Sequence, residues 1–69
     1  MFTNKATAQR VVETMNQVVD TLNKSLADVT KECTDAESQE YKYAVGGVMA
    51  EIYIRIRAKI YEQHPELEP

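Results

Sequence analysis

The chain has 69 residues, 43% of them apolar and 28% charged, with one cysteine, one histidine and a net charge of −3. That is one domain at most, too short to bury a large core by itself, and small domains of this size need a staple or a partner. A single Cys33 excludes an intrachain disulfide, one histidine excludes the standard four-ligand zinc patterns, and the acidic balance does not favour nucleic acid.

The first residues lack the charged-then-apolar layout of a signal peptide, and no apolar run approaches the roughly 20 residues that span a bilayer. The expectation is a cytoplasmic protein without membrane contact. Charge falls in blocks. Residues 32–40 carry four acidic groups and no basic one, whereas residues 41–60 carry four basic groups and one acidic.

Residues 4–31 divide into four sevens: NKATAQR, VVETMNQ, VVDTLNK and SLADVTK. Ala8, Val12, Met15, Val19, Leu22, Leu26, Val29 and Cys33 follow one another in alternating steps of four and three. Such a seam belongs to a helix, predicted over residues 4–32. Val11 and Val18 widen the seam on one side. Gln9, Asn16, Asn23 and Thr30 flank it on the other, where a two-stranded zipper would carry charges. This surface suits a bundle, in which each helix meets more than one neighbour.

The seam loses its phase after Cys33. There Thr34-Asp35-Ala36-Glu37 has the form of a capping box, so a connection at residues 32–34 is predicted to open a second helix over 35–63. His64-Pro65 ends that helix, because the residue before proline disfavours the α conformation. Residues 64–69 form a short acidic tail, read as a frayed end.

The second helix has an apolar stripe of Tyr41, Val45, Val48, Met49, Ile52, Ile56 and Ile60. At α-helical spacing it has another, made of Tyr43, Gly47, Ala50, Ile54, Arg57 and Tyr61. One stripe covers the first helix. The other needs a partner, and in so short a chain the partner comes from another copy. The predicted architecture is all-α: an antiparallel hairpin that pairs into a homodimeric four-helix bundle, with those six residues at the dimer interface.

An alternative uses the same residues differently. Gly46-Gly47 makes a two-residue turn between alternating segments 41–45 and 48–61, giving one long helix followed by a β-hairpin. On such a strand Arg55, Arg57 and Lys59 line one face with Tyr53 and Tyr61, a pattern suited to nucleic acid.

Catalytic chemistry finds little support. His64 has no nucleophile and acid beside it in the sequence, and reads as a histidine on a helix C-terminus. Glu32, Asp35, Glu37 and Glu40 lack the spacing of a calcium loop and read as a solvated turn. No cofactor or metal is expected. Cys33 reads as a small buried apolar residue closing the seam, with a reactive thiol as the alternative. The functional expectation is a non-enzymatic protein that mediates protein–protein interaction as an adaptor, regulator or inhibitor, with itself and another protein as partners.

Overall fold

Asn4 starts the fold. Its side chain accepts from the Thr7 N–H at 3.1 Å, capping α1 (Lys5–Glu32) in the computed structural model, which describes all 69 residues. The helix runs unbroken for 28 residues, and the molecule is a rod of 45 × 16 × 16 Å. From Ala8 to Val29, every predicted seam residue is buried or half-buried. Cys33 corrects the seam's end. It caps α1 in an extended conformation, donating its N–H to the Val29 carbonyl, and its side chain is exposed.

Thr34 opens α2 (Asp35–Ile52) with the predicted capping box. The Glu37 N–H donates to Thr34 Oγ1, and the Thr34 N–H donates to the Glu37 carboxylate. Two otherwise orphaned donors are satisfied where the chain reverses. Replacing Thr34 with Ala is expected to cost about 1 kcal/mol, read as a lower urea midpoint at unchanged helix content.

A turn of π-helix (Tyr53–Arg57) follows without a break, and then α3 (Ala58–Gln63). The Ala58 N–H reaches the Tyr53 carbonyl, five residues back. Together these segments cover the predicted second helix. No strand forms, so the alternative of a β-hairpin after one long helix is not supported. Gly46 and Gly47 lie within α2, neither with a positive φ, and make no turn.

The two arms pack antiparallel. Ser25 Oγ and Tyr41 Oη share a hydrogen bond of 2.7 Å, and Arg57 Nη1 donates to Asn16 Oδ1 at 3.0 Å. The core is small and lies at the open end of the hairpin. Ala8, Val12, Ile60 and Tyr61 are buried together, with Val11, Ile56 and Leu67 packed against them. Val45 is the one other buried apolar side chain.

The tail is not frayed as expected. Pro65–Leu67 forms a 3-10 turn, and Leu67 caps the core. His64 is buried, with Nε2 2.8 Å from the Phe2 carbonyl, which requires that nitrogen to carry the proton. Phe2 adopts a φ of 66°, a left-handed conformation, where it offers that carbonyl. Lys5 Nζ lies 3.6 Å from the Glu66 carboxylate. A hydrogen bond from its own backbone N–H, helped by Lys5 and His64, holds the Glu66 carboxyl below its ordinary range.

Candidate functional site

One extra residue in a helix rotates everything after it by about 100°. The π turn at 53–57 does this to the second arm. Arg57 and Tyr61 would continue the outer stripe if α-helical spacing persisted. Instead Tyr61 is buried against Ala8 and Val12, and Arg57 is half-buried against Asn16. Both leave the predicted dimer face, which corrects that part of the six-residue set. Tyr43, Gly47, Ala50 and Ile54 keep their outward positions.

Other residues join this open face. Val48 was expected to cover α1, yet it is 50% exposed. With Ala44, Gly47, Ile52 and Ile56 it lines a groove of about 440 Å³ along the second arm. Tyr43 and Ile54 continue the apolar surface beyond Gly47, at 77% and 59% exposure. The Glu51–Arg55 ion pair stands at the rim, on consecutive turns in the favourable order.

Helix α1 extends the face further. By helical spacing, Val11 and Val18 lie on the same flank as Ser25, and the Ser25–Tyr41 bond places that flank beside the groove side of α2. Val18 is exposed. Thr14 and Thr21 stand next to these residues on the wheel, farther toward solvent. Their hydroxyls donate to the carbonyls of Arg10 and Gln17, which uses each hydroxyl's one proton on its own helix.

The glycines sharpen the picture. Two glycines inside a helix cost about 2 kcal/mol relative to alanines. Neither adopts a conformation that needs glycine, and a Cβ on either would meet nothing within 4 Å. The hairpin alone gives no reason for them. Gly47 lies on the groove, where its missing side chain leaves the helix backbone open to solvent.

The basic residues do not form a patch. Arg55 pairs with Glu51, and Lys59 lies 4.0 Å from Glu62. Arg57 points to the other flank, its guanidinium 5.4 Å from the Tyr53 ring centroid. Its Nε is buried without a partner. The strand face that would align Arg55, Arg57 and Lys59 does not exist.

Cys33 stands at the hairpin turn, far along the rod from His64 and the core. The acidic residues Glu32, Asp35, Glu37 and Glu40 are all exposed, and no three metal-binding side chains converge anywhere. No helix is long and apolar enough to cross a membrane. No protein-family model, curated protein or solved structure matches the chain.

Proposed function

We propose that this is a small non-enzymatic helical protein that acts through protein–protein contact. In this reading two hairpins pair into a homodimeric four-helix bundle, which serves another protein as adaptor, regulator or inhibitor. One observation carries it: the second arm is apolar on two sides, and one side has no partner within the chain. Tyr43, Gly47, Val48, Ala50 and Ile54 are exposed on that side.

Surface area supports the same reading. A compact monomer of this mass exposes about 4,400 Å², whereas this chain exposes 5009 Å². The excess, roughly 600 Å², approaches the ~800 Å² that each partner contributes to a stable interface. The radius of gyration is 14.6 Å, against about 11 Å for a compact chain of this length. Half a bundle has this shape. The non-enzymatic part is supported by His64, whose imidazole is buried and bonded to the Phe2 carbonyl.

Sedimentation equilibrium at micromolar concentration tests the pairing. The expected mass is twice 7.9 kDa. A single 7.9-kDa species overturns the reading.

A further inference from the structure

The groove wall of α2 is polarised along its length. Glu40, Ala44, Gly47, Glu51 and Arg55 recur every three or four residues and form one row on the helix. Val48 and Ile52 stand beside it. Glu40 stands before the groove, whereas Glu51 and its ion-pair partner Arg55 line the groove's far half, so the row's one base lies at the end opposite Glu40. A second copy laid parallel would set Glu40 against Glu40 and Arg55 against Arg55. Laid antiparallel about a twofold axis between Gly47 and Val48, it would set Glu40 of each copy against Arg55 of the other.

We infer that the second copy seats its own α2 antiparallel in this groove, crossing at Gly47–Val48. This rests on the dimer proposed above and adds its orientation. Gly47 contributes no side chain, so the two backbones approach closely there, and Val48 of each copy packs beside Gly47 of the other. Ala44 leaves room for Ile52 of the facing helix. Arg55 is bracketed by its own Glu51 and the facing Glu40, an acid–base–acid cluster repeated by the twofold. The helix dipoles also oppose one another, as they would not in a parallel pair. Like charges brought together disfavour the parallel arrangement, so the charge pattern acts on register as well as attraction.

The exposed Cys33 offers a direct measurement, since it lies at the hairpin turn outside the groove. A spin label there stands some 14 residues from the crossing, which at 1.5 Å per residue puts the two labels of an antiparallel dimer roughly 40 Å apart. A parallel dimer brings them within about 20 Å. Pulsed dipolar spectroscopy on the labelled full chain, beside sedimentation of the same sample, separates the cases. A dimeric mass with the long distance supports the inference. A dimeric mass with the short distance overturns the orientation and leaves the dimer. A monomeric mass with no intermolecular distance overturns both. Charge reversal gives a second reading. Glu40→Arg and Arg55→Glu should each raise the dimer Kd about tenfold, and their combination should recover most of that loss. A double variant as weak as the two losses combined would refute the Glu40–Arg55 pairing.

Discussion

Ile60→Ala is expected to destabilise the hairpin by about 2–4 kcal/mol. Ile60 is the largest side chain with no exposure at all, and it joins α3 to Ala8 and Val12 of α1. Removing it opens a cavity at the point where Tyr61, Ile56 and Leu67 also converge. The effect is large relative to the whole, because only five apolar side chains are buried in the chain. A small domain has a net stability of a few kcal/mol, so the loss approaches all of it. Urea denaturation followed by far-UV circular dichroism should show the midpoint falling sharply, or a partly unfolded protein before urea is added. Protein concentration must be matched, since the proposed pairing would add a concentration-dependent stability. A midpoint close to wild type would mean that the core at the open end is not what holds the arms together.

Val48→Glu is expected to abolish pairing while leaving the hairpin folded. Val48 is half exposed in the single chain, so glutamate there meets water and changes hairpin stability by no more than about 0.5 kcal/mol. In the proposed dimer it lies beside the twofold axis. Two carboxylates would then be buried near one another, with no base between them. An unpaired buried charge costs several kcal/mol, which raises the dimer Kd more than a hundredfold. Sedimentation should give a monomeric mass with a helical spectrum. Gly46→Ala is the control, because Gly46 faces away from the groove lining. It should add about 1 kcal/mol to the helix without changing association. Equal masses for wild type and Val48→Glu would show that the groove is not the interface.

The open apolar face was only partly legible in the sequence. The exposure of Tyr43, Gly47 and Ala50 follows from the phase of α2, and Ile54, in the first residues of the π turn, still shares their side. Val48 was missed as a face residue, because an apolar stripe seven residues strong does not show which edge the neighbour leaves open. Arg57 and Tyr61 were assigned to the wrong side. The alternation in Tyr53-Ile54-Arg55-Ile56-Arg57, which also suggested a strand, is where the helix takes its extra residue. The small groups of the groove became informative only with the backbone in view, where neither glycine has a conformational or steric need within the chain.

The sequence by itself determined two helices, their caps and the turn between them. These features are local. A seam at fixed spacing, a Thr34–Glu37 capping box and a proline after His64 act within a few residues, so they are written where they operate. Tertiary structure decided the rest. The π turn accompanies the burial of Ile60 and Tyr61 against Ala8 and Val12, more than 45 residues earlier in the chain. Still longer stretches of chain separate His64 from Phe2, and Leu67 packs against the same distant cluster, so the ordered tail was equally hidden. A helix's phase is a local property only until packing makes it favourable to shift, and that shift turned Tyr61 from the open face into the core and Arg57 onto the opposite flank beside Asn16.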